Sequence, residues 1–325
     1  MKKQLILLLG FAISAVSLYY ALKGIPLGRV VHTLGQGDLR WIAVAVFLYI
    51  VAYTARTLRW KILMSPIRDV AFYPLVAPLF IGFFANNILP FRMGEFVRAH
   101  LSGRKFGISR TASLGTIFIE RIFDTISFLT TFLCAALFYP FPVYIEHGAA
   151  MLGIGCIIAC GGLWMVATHR ALFETWVHRF GLPNAWALKL EGIVQNFAHG
   201  ISGLQHAHKN ASALALSLGI WFLEGSTLLV MARAYHLDVS LPGAFFLLFF
   251  LGLAVTLPQA PGYVGTMELF GVKALTILHI PRDEGLSLIL AVHGFQFLFI
   301  LGWGLWALHH EGLTVGKLWE AQESL

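Results

Sequence analysis

The stretch NNILPFRMGEFVR (residues 86–98) follows directly on the apolar run VAPLFIGFFA (residues 76–85), placing two Asn, a Leu-Pro pair, two Arg and a Glu where a spanning helix would be crossing a bilayer. Pro90 removes a backbone donor and disfavours helix at Leu89, so the entering helix is expected to stop there. The flanking charges decide the path of the chain beyond the break. Arg56, Arg59, Lys61 and Arg68 precede the run and Arg98, Arg104, Lys105 and Arg110 close it, and basic loops face the cytoplasm. Both flanks of residues 70–108 therefore claim the same side. A chain that enters, breaks at Leu89-Pro90 and returns as a second short helix satisfies both, because broken backbone at membrane depth is tolerated where protein or a wet cavity surrounds it. Residues 70–108 are read as a re-entrant hairpin.

The rest of the chain fits a membrane setting. Of 325 residues 58% are hydrophobic and 12% charged, with 27 Phe, and mean hydropathy is +0.76; no water-soluble fold could bury so much apolar surface. Apolar runs recur at about 4–22, 39–55, 70–89, 111–139, 148–167, 211–232, 241–257, 264–280 and 286–308, each near the length a bilayer core of roughly 30 Å asks for. No long polar stretch separates them, so residues 1–325 are read as a single transmembrane domain of an all-α polytopic protein. The first run is longer than a signal-peptide core and is expected to be retained, with Lys2 and Lys3 holding the N-terminus inside. Residues 168–210 are expected to lie on the cytoplasmic surface, with Trp186, Leu190, Val194, Phe197, Ile201 and Leu204 at the spacing of an amphipathic helix. The net charge of +7 suits basic loops and anionic headgroups; no basic cluster interleaved with aromatics points to nucleic acid. Cys134, Cys156 and Cys160 lie in apolar runs and are read as packing thiols.

A second Pro/Gly-broken pair splits 241–257 from 264–280 at LPQAPGYVG (residues 257–265). Counting crossings, the first half runs out, in, re-entrant from inside, out, and the second runs in, out, re-entrant from outside, in. ANNILPFRMGEF (85–96) and LAVTLPQAPGYVGTMELF (253–270) both carry Leu-Pro, then Gly, then an acid beside an aromatic or apolar residue. The fold class expected is thus an inverted repeat, halves at about 1–140 and 148–310, with two re-entrant broken helical hairpins, the arrangement of transporters that bind substrate near the midplane.

Several residues carry chemistry in that frame. A short helix starting near Phe91 would aim its amides at the membrane interior, where an anion is stabilised. Arg92 would lie in its first turn with Glu95 and Arg98 at i+3 spacing; Arg offers a planar two-bond fork that suits phosphate. Glu95 would orient an Arg or take a proton, and Arg98 either joins the anion site or snorkels to the interface. FIERIFDTISF (118–128) places Glu120, Arg121 and Asp124 inside an apolar helix, where ionisable groups face a partner or a cavity; a packing clasp and a gate are both open. Gly262 and Gly265 let the second break turn, with Glu268 one turn into the next helix. Glu224 is either proton-linked or satisfied by a Ser or an Arg. Asn86 and Asn87 cap broken backbone or touch headgroup oxygens. Metal ligation is not expected of the histidines, and no Gly-rich phosphate loop, G-x-S-x-G elbow or H-E-x-x-H helix is present.

RTLRW (56–60), NNILPFRMGEFVR, ERIFD (120–124) and PQAPGYVGTMELF (258–270), in that order, resemble the lysylphosphatidylglycerol synthase transmembrane-region family over about residues 40–308. The resemblance implies a lipid translocase fold with two re-entrant elements and headgroup handling near Arg92, Glu95, Arg98 and Glu268. It also implies that aminoacylation is not expected, since no synthase domain comes after the membrane region, and it leaves the lipid open, because stand-alone relatives include a hopanoid-associated group and one tied to lipid-linked glycosylation.

These readings converge on a multi-pass protein of the cytoplasmic (inner) membrane, moving a phospholipid or lipid-linked headgroup between leaflets. The substrate-site candidates are Asn87, Arg92, Glu95, Arg98, Glu120, Arg121, Asp124, Gly262, Gly265 and Glu268, with no cofactor. The expected partners are membrane lipids of anionic or zwitterionic headgroup, and a second copy or a lipid-biosynthetic enzyme. The alternatives are an intramembrane transferase, with Glu95 or Asp124 as base, and an accessory protein in lipid or lipid-linked glycan synthesis.

Overall fold

The computed structural model describes residues 2–89, 93–140, 143–168, 192, 195–201, 206–256 and 259–316. Eleven α-helices are named among them: α1 (Lys2–Leu22), α2 (Leu27–Leu34), α3 (Leu39–Met64), α4 (Phe72–Ile88), α5 (Gly94–Phe106), α6 (Arg110–Ala136), α7 (Val143–Thr168), α8 (Ala207–Ala234), α9 (Leu241–Thr256), α10 (Thr266–Ile277) and α11 (Arg282–His310). α3, α8 and α11 are each long and apolar enough to cross a membrane. α6 is as long but carries Glu120, Arg121 and Asp124 midway.

The apolar runs became helices near their expected bounds, with informative differences. Because no Gly or Pro interrupts the chain from Leu39 to Met64, α3 continues well past residue 55, and Arg56 and Arg59 belong to it rather than to a basic loop. Arg59 is fully buried; Lys61 and Arg68 keep the basic flank. α2 was not foreseen. It meets the end of α1 at 89° and buries Val30 against Val272 and Leu286 while Leu27 and Val31 stay exposed. α5 starts at Gly94, with Met93 at its N-cap, instead of near Phe91. Arg92 therefore precedes the helix and, with Pro90 and Phe91, lies outside the described residues. Most of the expected surface segment 168–210 also lies outside them; residues 195–201 are helical, and Ala198 and Ile201 bury against neighbours that include α6 rather than lying free on a surface.

The central pair is α3 and α8, and it runs antiparallel. Asp38 N–H donates to Ala234 O (2.9 Å) at one end of the pair, and Lys209 Nζ donates to Ser65 Oγ (2.9 Å) at the other. These define an Asp38 end and a Ser65 end of the bundle. α4 leaves from the Ser65 end, stops with Leu89 extended (φ −91, ψ 144) as the residue before proline prefers, and α5 returns along it. Gly94 N–H donates to Asn86 Oδ1 (2.8 Å) across the turn. A Cβ on Gly94 would collide with the Gly82 carbonyl, so glycine alone permits this approach of the two backbones. α9 leaves from the Asp38 end and α10 returns to it, packed on α9.

The packing repeats with the halves exchanged. α4 lies on α11 and α9 on α6, while α5 feeds α6 and α10 feeds α11. Two like units whose first helices pair antiparallel are related by an axis across the bundle, which is an inverted repeat, and their hairpins enter from opposite ends. α4 and α5 span only about 25 Å and 20 Å at 1.5 Å per residue, too short to cross singly. The largest apolar cluster joins α6, α8, α9, α10 and α11 around Phe128, Phe246 and Phe249; a second joins α3, α4 and α11 around Trp60, Phe80 and Phe84.

Candidate functional site

The two hairpin tips meet. A Cβ on Gly262, in the second break, would lie 3.9 Å from the Asn87 carbonyl oxygen at the first. Beside this meeting point is a cavity of about 370 Å³. Its lining mixes polar groups (Asn86, Asn87, Arg121, Asp124, Arg56 and Glu224) with aromatic and apolar ones, Tyr49, Tyr53, Phe83 and Phe128 from the first half and Leu248, Leu251 and Tyr263 from the second; Arg56 lies over the Tyr53 and Phe83 rings. α3, α4, α6, α8, α9, α10 and α11 all contribute.

Arg121 and Asp124 connect the cavity to a clasp of alternating charges. Arg59 donates through Nη1 to Asp124 Oδ1 (2.5 Å) and Ser217 Oγ (2.7 Å), and its Nη2 is 3.1 Å from Glu120 Oε1. Arg98 forks onto Glu120 through both nitrogens (3.1 and 2.9 Å) and lies over the Trp60 ring at 3.7 Å. Arg121 completes the set, reaching Glu120 Oε1 (2.5 Å), Asp124 Oδ2 (3.1 Å) and, more loosely, Glu95 Oε1 (3.6 Å). Trp221 Nε1 donates to Asp124 Oδ1 (3.3 Å). Three guanidiniums thus face three carboxylates. Each charge taken out of water is matched by an opposite one with hydrogen bonds, the condition under which buried ions are tolerated. A separate pair, Arg56 Nη2 to Glu224 Oε1 (2.7 Å), sits on the cavity wall.

The candidate residues divide by position. Asn87, Arg121 and Asp124 line the cavity. Glu95 and Arg98, again with Arg121, border a narrow cleft between α4 and α5, and Glu120 is buried behind them. Arg98 is neither a free anion ligand nor a snorkelling side chain here, since Glu120 takes its fork and 3% of the residue is exposed. Gly262, Gly265 and Glu268 form a separate constellation at the second break: Glu268 Oε2 accepts from Gly265 N–H (2.6 Å), and Glu268 Oε1 lies 2.6 Å from His293 Nδ1. Glu224 is satisfied by an Arg, and Asn86 caps broken backbone. Sequence reasoning did not single out Arg59 or His293, and it read Arg56 as a loop charge. The uninterrupted helical span 39–64 was the signal for Arg56 and Arg59, which share one face at i+3 spacing.

Comparison with known proteins places the chain. A family model described as the lysylphosphatidylglycerol synthase TM region matches residues 7–304. Glycosyltransferase AglD of Haloferax volcanii is 25% identical over 301 residues, covering 81% of this chain and 47% of AglD, so the chain spans about half the length of that relative. A UPF0104 membrane protein of Methanocaldococcus jannaschii is 23% identical over 229 residues, covering 68% of this chain and 91% of its own. Another, of Methanothermobacter thermautotrophicus, is 22% identical over 314 residues and covers 90% of both. No solved structure matches. With a family model matched along nearly its whole length, this multi-pass membrane protein belongs to the lysylphosphatidylglycerol synthase transmembrane-region family.

Proposed function

We propose that the protein moves a phospholipid or lipid-linked headgroup between the leaflets of the cytoplasmic membrane, without itself catalysing a covalent step. The observation that carries this reading is the cavity beside the hairpin tips, whose lining is both polar and apolar. A headgroup needs hydrogen-bonding partners at a depth where lipid offers none, and Arg121, Asp124, Asn86 and Asn87 supply them. The aromatic and aliphatic lining is compatible with glycerol or chain carbons. Arg121 is the cation of the clasp that reaches the cavity; Glu120 and Asp124 hold its Nη2, and its charge attracts a phosphate oxygen, with Arg92 as the second cation of the proposal. The Ser65 end gathers Lys61, Arg68, Arg104, Lys105, Arg110 and Lys209, and on this reading that end, with the Lys2 and Lys3 N-terminus, lies on the cytoplasmic side by the positive-inside rule. Membrane lipids are the partners this requires; self-association or a lipid-modifying enzyme would be additional.

The test is reconstitution of the purified protein alone into liposomes carrying fluorescent lipids of several headgroups, with leaflet exchange read by chemical quenching. At least one headgroup should exchange faster than in protein-free vesicles. Thr125→Trp, which fills the cavity beside Asp124, should slow it at least about ten-fold, a loss of about 1.4 kcal/mol in transition-state stabilisation. No exchange with any headgroup would end the reading. The match to a protein named glycosyltransferase favours a second one, service to lipid-linked glycan synthesis. A polyprenyl phosphosugar belongs in the panel for that reason, and mass spectrometry of the recovered lipids shows whether any is altered.

A further inference from the structure

His293 is the twelfth residue of α11, just as Arg121 is the twelfth of α6, the helix in the same place in the other half. Each reaches the acid that follows its hairpin break. Arg121 Nε lies 3.6 Å from Glu95 Oε1, and His293 Nδ1 lies 2.6 Å from Glu268 Oε1. The repeat therefore keeps an acid–base contact behind each break but builds the base differently. Arg holds its charge at any physiological pH, whereas His exchanges a proton there.

Both ring nitrogens of the second contact face an acceptor. His293 Nε2 is 2.7 Å from the Gly262 carbonyl oxygen, which only accepts, so Nε2 carries hydrogen. A bare Nδ1 and a carboxylate oxygen would both be acceptors at 2.6 Å, so a hydrogen bond there needs a further proton between them. With both contacts made, the pair holds one proton more than a neutral imidazole and a carboxylate together. It also fixes the backbone of the break. Glu268 Oε2 accepts from Gly265 N–H (2.6 Å) and His293 grips Gly262 O, with Tyr263 between them at φ 62, a left-handed conformation a bulky residue adopts when its surroundings impose it. Tyr263 and Met267 are the cavity wall on this side.

We propose that His293 and Glu268 form a proton-binding site whose occupancy latches the second hairpin's break to α11, and that loss of the proton frees the Gly262 turn at the cavity wall. On release the N–H bond gives its proton to water. The neutral ring then has one N–H for two acceptors and keeps either Glu268 or Gly262, not both. The first break, held by the Asn86 amide and backed by Arg121, has no such dependence. Among the described residues, no other titratable group on the packed elements hydrogen-bonds or ion-pairs with the His293–Glu268 pair. α3 brings Tyr49 and Tyr53, against Phe295 and Phe299 of α11, and Arg56. α9 has none, α4 has Tyr73 near its outer end, α10 adds Lys273, and Tyr263 borders the turn. α2 brings His32 and Arg29, the latter paired with Asp283; α8 brings Glu224, paired with Arg56, along with His208, Lys209 and Arg233 near its ends. α1 brings Tyr19, Tyr20 and Lys23 at its C-terminal end, and α11 itself has Arg282, Glu284, His309 and His310 near its termini. The consequence for transport rests on the translocase reading; the latch does not.

Two measurements on the full-length protein test it. In protein labelled with ¹⁵N-histidine, the signal lost in His293→Gln assigns the ring. That ring should carry protons on both nitrogens at about pH 5 and lose one in a single step, and the step should move by at least about one pH unit in Glu268→Gln. In a cysteine-free background with a bimane fluorophore at Val264→Cys, iodide quenching should rise along the same step and become independent of pH in both His293→Gln and Glu268→Gln. A ring that never holds both protons, or quenching that ignores pH in the unaltered protein or follows it equally in the variants, overturns the latch. Neither measurement reads lipid movement. A titrating latch in a protein that moves no lipid would sink the translocase reading alone, and lipid movement without titration would sink the latch alone.

Discussion

Arg59 joins three helices with one side chain. It leaves α3, holds Asp124 and Glu120 on α6, and reaches Ser217 on α8, with no exposure to the surroundings. Cutting it to alanine leaves two buried carboxylates short of a cation, and breaking a buried pair by removing one partner costs about 3–5 kcal/mol. Arg59→Ala should unfold in denaturant, in detergent micelles, with a stability loss of that order. The contrast is Lys105 with Glu311, an ion pair between the outer ends of α5 and α11 that keeps partial exposure; Glu311→Gln should cost no more than about 1 kcal/mol, and an equal loss for both would mean that burial is not what gives the clasp its weight. The acids of the clasp were legible in sequence because Glu120 and Asp124 interrupt an apolar helix. Arg59 was not, because an arginine near the end of an apolar run looks the same whether its helix stops or goes on. His293 escaped for a similar reason: a single histidine amid apolar residues shows its meaning only when the carboxylate and carbonyl beside it are in place.

The helices themselves were the most legible part, since each apolar run is long and strongly patterned and the Leu-Pro pairs mark both breaks. Their exact starts were not. The first turn after Leu89-Pro90 begins at Gly94 because the returning backbone must pass against Gly82, a contact between residues twelve apart in sequence. That contact is testable. A methyl group at Gly94 forces α4 and α5 apart, and overpacking of this kind typically costs about 1–3 kcal/mol; Gly94→Ala should lower the thermal midpoint, while Gly148→Ala on α7, where a Cβ meets open space, should hold or raise it, since Ala favours a helix interior over Gly. Equal behaviour of the two would refute the close approach. α2 went unseen because eight residues are too few to register as an apolar run, and its footing is tertiary: Val30 settles on α10 and α11.

At the scale of the molecule the inverted repeat makes a simple geometric demand. Positions 69, 107 and 310 belong to the Ser65 end and positions 240 and 279 to the Asp38 end, where Tyr139 also hydrogen-bonds Ser240 (2.9 Å). Single cysteines at these exposed sites, labelled in intact vesicles with a reagent that cannot cross the bilayer, should divide into those two groups. Labelling of 69 and 107 from different sides would dismantle the first hairpin and the repeat with it. This architecture was readable from charge bias and break spacing, because both are set by the bilayer rather than by side-chain packing; the clasp and the cavity were not, because they exist only once seven helices have assembled. The Gly82–Gly94 contact has one more consequence. With the two arms in backbone contact the first hairpin cannot scissor open, so any change in access on that side has to swing it as one stiff lever about its outer rim, and the largest excursion falls at the tip, where Asn87 meets Gly262.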